Sequence, residues 1–172
     1  MHYWRLKPTS SLADVLDSLR SRRDWWTITE LCEDTGRTRR SVGGVVSTIR
    51  ANDLAVIRKR PGATKGDLQL QINDHGLIWL WAMENNLPPR LLSFFMGLLD
   101  ILAQTGPTFT RTLIIGKNSK ATKTRNSFKE LEALGHVRIK RSATEAHTIE
   151  ITGPGLALLG SWKRIQNGDL RL

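Results

Sequence analysis

The stretch ITELCEDTGRTRRSVGGVVSTI, residues 28–49, decides the fold, because its apolar residues keep helical spacing on both sides of Gly36. Thr27 followed by Glu30 forms a capping-box pattern, which predicts a helix that begins just after Thr27. Gly36 offers the left-handed backbone conformation that commonly ends a helix. A second helix is predicted from Thr38 to about Asn52. The stretch therefore predicts two helices joined by a tight turn.

An internal repeat organises the rest of the chain. Residues 72–80 (INDHGLIWL) and 151–159 (ITGPGLALL) both read Ile, three residues, Gly, Leu, two residues, Leu, and lie 79 positions apart. Residues 49–58 (IRANDLAVIR) match residues 131–140 (LEALGHVRIK), which lie 82 positions further on. The difference of three residues falls in the Pro/Gly-rich segment after Lys59, where a hairpin tip tolerates a change of length.

We therefore predict two copies of one module, residues 10–86 and 88–168. Each copy carries three helices, a β-hairpin and a closing helix, which in the first copy begins at about His75. The hairpin strands are AVIRK and LQLQI, residues 55–59 and 68–72, and the alternation of apolar residues with Gln predicts one buried face. The predicted fold class is α+β: mainly α, with small β-hairpin wings, in two tandem winged-helix domains.

Charge and composition limit the classes of function. The 172 residues include 26 Lys and Arg against 16 Asp and Glu, a formal charge of +10, which favours a polyanionic partner or an acidic membrane surface. Residues 1–86 hold 13 basic and 10 acidic side chains, and residues 87–172 hold 13 and 6, so we expect the second module to dominate phosphate attraction.

Several kinds of site and segment are not indicated by the sequence. Cys32 is the single cysteine and the four histidines are scattered, so neither a disulfide nor a metal site is expected. No nucleophile–base, paired-carboxylate or phosphate-loop motif is present, so we predict a protein that is not an enzyme and needs no cofactor. The apolar run at residues 91–103 is too short to span a bilayer, and no signal peptide is evident, so a cytoplasmic protein is expected.

The opening stretch resembles the helix-turn-helix of bacterial and phage DNA-binding proteins. The resemblance rests on Leu31 and Cys32 in the first helix, Gly36 at the turn, and Val42 and Val45 in the second helix. Arg37 departs from the pattern, which usually has an aliphatic residue there. With the repeat and the hairpins, the chain is similar to tandem winged-helix proteins, a group that includes MarR-like regulators, phage regulators and plasmid replication initiators. The resemblance implies sequence-specific binding of double-stranded DNA, with one helix in the major groove and a wing beside it.

Helical geometry predicts which side chains of the first module face DNA. A buried stripe of Val42, Val45, Val46 and Ile49 leaves the opposite face outward. The candidate DNA-binding residues of this module are Arg37, Arg39, Arg40, Ser41, Gly44, Ser47, Arg58, Arg60 and Lys65. An arginine such as Arg40 can bind guanine O6 and N7 together, whereas Arg39 is placed to bind phosphate.

The adjacent glycines Gly43 and Gly44 lie in the middle of this predicted helix. Each lowers helix stability by about 1 kcal/mol relative to alanine. Two explanations stay open: a close approach to the DNA groove, or close packing against another helix.

The second module repeats the pattern with different residues. Thr124, Phe128 and Leu131 take the buried positions. The candidate DNA-binding residues of this module are Lys117, Lys120, Thr122, Lys123, Arg125, Asn126, Lys129, Arg138 and Arg141. Asn126 suits bidentate recognition of adenine.

Aromatic residues near the junction, Trp79, Trp81, Phe94 and Phe95, predict either core packing or a homodimer surface. The favoured function is a transcriptional regulator of phage or mobile-element type. Two alternatives remain: a plasmid or phage replication initiator that binds repeated sites, and a chromosome-associated winged-helix module that binds protein.

Overall fold

The computed structural model describes residues 10–62, 67–109, 119–142 and 147–168. The chain divides into two compact units, the first ending at Pro89 and the second beginning at Arg90. The described residues are mainly helical and include small antiparallel sheets, as expected for the predicted α+β class.

The first unit follows the order predicted from the sequence, with one addition. Its elements are α1 (Ser10–Arg22), β1 (Trp26–Thr27), α2 (Ile28–Thr35), α3 (Arg39–Ala51), β2 (Ala55–Lys59), β3 (Leu68–Ile72) and α4 (Asp74–Glu84). Both predicted hairpin strands are confirmed at their predicted bounds. Strand β1 was not predicted, because two residues are too few to display the alternation of a strand. It pairs with β3 to give the sheet order β1-β3-β2.

The second unit repeats this plan in the residues that the structure describes. A short 3₁₀ helix (Pro89–Leu91) precedes α5 (Leu92–Thr105), β4 (Thr108–Phe109), α6 (Ser119–Ala133), β5 (Val137–Lys140), β6 (Thr148–Ile151) and α7 (Gly153–Gln166). Its strands take the equivalent order, β4-β6-β5. The predicted turn ahead of α6, residues 116–120, lies mostly outside the described residues.

The register of the two sheets carries the spacings of the sequence repeat. Ala55 lies opposite Ile72 in the first sheet, and Val137 lies opposite Ile151 in the second. These partners are 82 and 79 positions apart, as in the repeat found in the sequence. The two units therefore place equivalent residues of the repeat at equivalent positions of their hairpins.

A close backbone contact also recurs in both units. At Gly76 in α4, an added Cβ would overlap the backbone carbonyl oxygen of Leu54. At Gly155 in α7, an added Cβ would overlap the carbonyl oxygen of His136. Only glycine permits each closing helix to approach the segment that leads into the hairpin.

Buried aliphatic and aromatic side chains fill both units. In the first unit, Leu16, Leu31 and Ile49 of the three leading helices are fully buried with Leu70 of the sheet. In the second unit, Phe128 and Leu131 of α6 are buried, as is Ile149 of β6. This packing holds α3 and α6 by one face and leaves the opposite face outward.

Candidate nucleic-acid interface

Two capped helices position the face of α3. The hydroxyl of Thr27 accepts a hydrogen bond from the Glu30 backbone N–H, and the Glu30 carboxylate accepts one from the Thr27 backbone N–H, which confirms the capping box. Gly36 ends α2 with φ 64° and ψ 20°, as predicted. The hydroxyl of Thr38 then caps α3 by accepting from the Ser41 N–H. These local interactions set the direction in which α3 leaves the turn.

The predicted buried stripe of α3 is confirmed. Val42, Val45, Val46 and Ile49 are all buried. The side chains of Arg39, Arg40 and Ser47 are exposed, whereas Ser41 is half-buried. Among the described residues, neither Arg39 nor Arg40 has a carboxylate within ion-pair distance.

The structure bears on one of the two explanations for the glycine pair, close packing against another helix. An added Cβ at Gly43 or Gly44 would meet no heavy atom within 4 Å, so no described helix packs there. The hydroxyls of Ser47 and Thr48 donate to the carbonyls of Gly43 and Gly44 at 3.2 and 3.4 Å. The centre of the exposed face is therefore bare helix backbone flanked by arginine.

Arg37 contacts the protein itself. Its guanidinium forms an ion pair with Asp14 of α1, with Nε donating to the carboxylate at 3.1 Å. The pair joins α1 to the turn after α2. The helix-turn-helix pattern usually has an aliphatic side chain at this position, whereas here Arg37 is paired with a carboxylate. In this respect Arg37 differs from Arg39 and Arg40.

In the hairpin of the first unit, Arg58 stacks on an aromatic ring. The guanidinium of Arg58 lies 3.5 Å from the ring centroid of Trp25, and its Nε donates to the Gln69 side chain at 3.1 Å. Arg60 lies 3.6 Å from the carboxylate of Asp67. Lys65 lies outside the described residues.

In the second unit, α6 presents the predicted outward residues. Thr122, Lys123, Arg125, Asn126 and Lys129 are all exposed. Lys123 lies 4.7 Å from the ring centroid of Phe94, a cation–π contact. Lys117 lies outside the described residues, as does the side chain of Lys120.

The buried side of α6 differs slightly from the prediction. Phe128 and Leu131 are buried as expected, and Thr124 is half-buried. Ser127 is also buried, at 3% exposure, and was not predicted because its polar side chain interrupts the apolar pattern.

The hairpin cations of the second unit are matched by carboxylates. Glu150 of β6 binds Arg138 at 3.4 Å and Lys140 at 3.0 Å. Glu132, near the end of α6, accepts hydrogen bonds from Arg141, one of them at 3.0 Å. The sequence did not indicate these acidic partners, because each lies nine or more positions from its cation and is brought close by the fold.

Among the titratable groups with shifted pKa values, Glu30, Glu132 and His136 have clear physical causes for the shift. Hydrogen bonds from the Thr27 backbone, the Thr27 hydroxyl and Arg22 lower the pKa of Glu30 to about 2. The hydrogen bond from Arg141 lowers the pKa of Glu132, so this carboxylate stays ionised. Burial lowers the pKa of His136.

The four aromatic residues near the junction differ in exposure. Phe95 is fully buried and Trp81 is 8% exposed. Trp79 is half-buried against the core of the first unit, and Phe94 is half-buried beneath Lys123. Any dimer surface that uses this set has Trp79 and Phe94 as its accessible members.

Sequence comparison supplies no relative from which a function could be transferred. No protein-family model matches the chain, and no curated protein is significantly similar to it in sequence. No helix in the described parts of the chain is long and apolar enough to cross a membrane. The described residues also contain no group of three or more His, Cys, Asp or Glu side chains that could hold a metal ion.

Proposed function

We propose that the chain is a sequence-specific double-stranded DNA-binding protein built from two winged-helix modules, and that it acts as a transcriptional regulator. The observation that carries the proposal is the outward face of α3. There, Arg39 and Arg40 lack acidic partners among the described residues, Gly44 is exposed, and an added side chain at Gly43 or Gly44 would enter open space. A bare, cationic helix face fits the width of the major groove and the negative charge of DNA.

The neighbouring hairpin supports the same partner. Arg58 is held over Trp25 and by Gln69, so its guanidinium is ordered before any ligand arrives. An ordered arginine on a β-ribbon beside the helix suits a minor-groove or phosphate contact. The formal charge of +10 further favours a polyanion.

The first test is selection of bound fragments from random duplex DNA, because it measures binding, specificity and the symmetry of the site together. Arg40→Ala should then cost roughly 1–3 kcal/mol of binding free energy and relax the preference at one base pair. Arg39→Ala is the matched control, since removal of a phosphate-binding side chain should weaken all sequences alike. Unchanged affinity and unchanged preference for Arg40→Ala would reject this assignment.

A replication initiator is the second candidate, because two equivalent units suit directly repeated sites. A footprint over an origin, in place of a promoter, would identify it.

A complex with a protein partner that resists high salt would instead favour a protein-binding module. We also propose a homodimer through the aromatic set predicted from the sequence, and a sedimentation series over protein concentration tests it. In that set Trp81 and Phe95 are buried and Trp79 and Phe94 are half-buried.

A further inference from the structure

The sheet registers identify which residues of the two hairpins are equivalent. Val56 lies opposite Gln71 in the first unit, and Arg138 lies opposite Glu150 in the second. Arg58 and Lys140 occupy the next outward position along the equivalent strands. The hairpins of the two units can therefore be compared position by position, and their charges differ.

In the first unit the end of α3 and the strand β2 carry cations without acidic partners among the described residues. Arg50 is the penultimate residue of α3 and Lys59 is the last residue of β2. Both side chains are exposed, and within the described residues neither lies within 4.0 Å of a carboxylate oxygen. Arg58 contributes a third positive charge, held by the neutral groups of Trp25 and Gln69. Arg58 precedes Lys59 in β2 and therefore points to the opposite side of the sheet. We call Arg50 and Lys59 the cationic face.

In the second unit the equivalent positions carry two carboxylates. Glu132 is the penultimate residue of α6, as Arg50 is of α3, and Arg141 follows β5 at the position that Lys59 takes in the first unit. The two form an ion pair. Glu150 takes the position of Gln71 and binds Arg138 and Lys140. These residues form two separate groups, Glu132 with Arg141 and Glu150 with Arg138 and Lys140, and we call them together the compensated residues.

The two carboxylates are fixed in place. Their side chains are only 26% and 22% exposed for Glu132 and Glu150. Glu132 also accepts a hydrogen bond from the backbone N–H of Ile139 at 3.2 Å, which anchors it to β5. A phosphate that approached any of the compensated residues' cations would meet a carboxylate within a few ångströms of that cation. Because the Coulomb repulsion offsets the attraction at that distance, such a phosphate gains little.

We propose that the two units hold DNA in different ways: the first through α3 and its cationic face, and the second through α6 without its hairpin. Glu132 and Glu150 are the residues that keep the second hairpin from binding phosphate. The inference rests on the proposed DNA binding and adds the division of labour between the two copies. It differs from the charge balance of the two halves, which assigns the larger phosphate attraction to the second module as a whole.

The test is the slope of log affinity against log salt on a random-sequence DNA duplex, with three charge variants of the full chain. Arg50→Gln with Lys59→Gln should lower the slope by roughly 0.9 for each phosphate that is no longer neutralised. The matched variant, Arg138→Gln with Arg141→Gln, removes the same charge and should leave the slope unchanged. Glu132→Gln with Glu150→Gln should raise both affinity and slope, because it frees three cations. Circular dichroism checks that each variant remains folded.

The outcomes separate this inference from the function on which it rests. If the wild-type chain binds DNA but the Arg138 and Arg141 variant lowers the slope as much as the Arg50 and Lys59 variant, the division of labour is wrong and DNA binding stands. An unchanged slope for the glutamate variant likewise overturns the role of the carboxylates. A wild-type chain with no salt-dependent affinity for DNA overturns both the inference and the proposed function. The conservative variant Glu132→Asp with Glu150→Asp retains both negative charges, so it should keep the wild-type affinity and slope. It therefore separates the effect of charge from an effect of the substitutions on folding.

Discussion

At the scale of single residues, the two closing helices depend on glycines that equivalent contacts require. Gly76 and Gly155 each lie against a backbone carbonyl that a side chain would overlap, and the neighbouring isoleucine side chains, Ile72 and Ile151, crowd the same positions at 2.9 Å. The backbone on one side of each contact cannot rotate away as a flexible side chain could. These glycines were visible in the repeat, but their reason lies in a contact with residues about twenty positions earlier in the chain.

Substitution of these glycines gives a prediction with a control in the same helix. Gly155→Ala should destabilise the second unit by roughly 2–3 kcal/mol, because the added methyl forces α7 away from His136. Gly160→Ala in the same helix meets no atom within 4 Å and should instead stabilise it by about 0.5–1 kcal/mol through helix propensity. Urea unfolding measures both changes. Equal effects of the two substitutions would contradict the contact.

The capping box predicts how acid weakens the first unit. The pKa of Glu30 is lowered from 4.5 to about 2 in the folded chain, so the folded state binds fewer protons than the unfolded state between these values. The stabilisation from Glu30 is complete above pH 4.5 and is lost as the pH falls towards 2. Glu30→Gln should flatten this part of the curve of unfolding free energy against pH. A curve identical to wild type would show that the cap makes no such contribution.

At the scale of elements, α3 shows how much of the candidate site can be predicted from sequence. Its buried stripe, and the start at Thr27 and end at Gly36 of the preceding helix α2, follow from residues within one or two helical turns, so the pattern alone was sufficient. The pairing of Arg37 with Asp14 could not be predicted, because it joins residues 23 positions apart across a packing arrangement that periodicity does not specify. The acidic partners Glu132 and Glu150 were missed for the same reason. The helices and their buried faces could thus be predicted from the sequence, whereas the ion pairs between residues distant in the chain could not.

The glycine pair of α3 predicts a trade-off between stability and binding. Gly44→Ala fills open space in an exposed helix, so it should raise the free energy of unfolding by about 0.5–1 kcal/mol. If the bare backbone lies against DNA, the same methyl should weaken binding at least several-fold. Gly97→Ala in α5 is the control, since it is equally open and should stabilise without a change in DNA affinity. Chemical unfolding and a binding titration on the same samples separate the two effects, and unimpaired binding by Gly44→Ala would argue against a close groove contact.

At the scale of the whole molecule, the two units share a plan of elements and differ in their charges. The register, the closing glycine and the outward helix face recur in both units, whereas the charges of the two hairpins differ. An ion pair also joins the first and last helices of each unit, with its charges exchanged. Arg20 of α1 binds Glu84 of α4 in the first unit, and Asp100 of α5 binds Lys163 of α7 in the second. Buried positions require apolar side chains in both units, whereas exposed positions tolerate different charges.

The hairpin cations of the second unit are paired with carboxylates, so we expect this unit to contact DNA through α6. Removal of the positive charges of α6 tests this expectation. Lys123→Gln, Arg125→Gln and Lys129→Gln remove three exposed charges from α6. The triple variant should lower the slope of log affinity against log salt by roughly 0.9 for each phosphate that the helix no longer neutralises, and shorten the DNA footprint on one side. A variant of equal charge change elsewhere, Arg90→Gln with Lys163→Gln and Arg164→Gln, should keep both. Asn126→Ala should erase a preference for adenine in the shortened half-site. If the α6 variant keeps the wild-type slope and footprint, the second unit does not contact DNA, and its basic helix binds another partner.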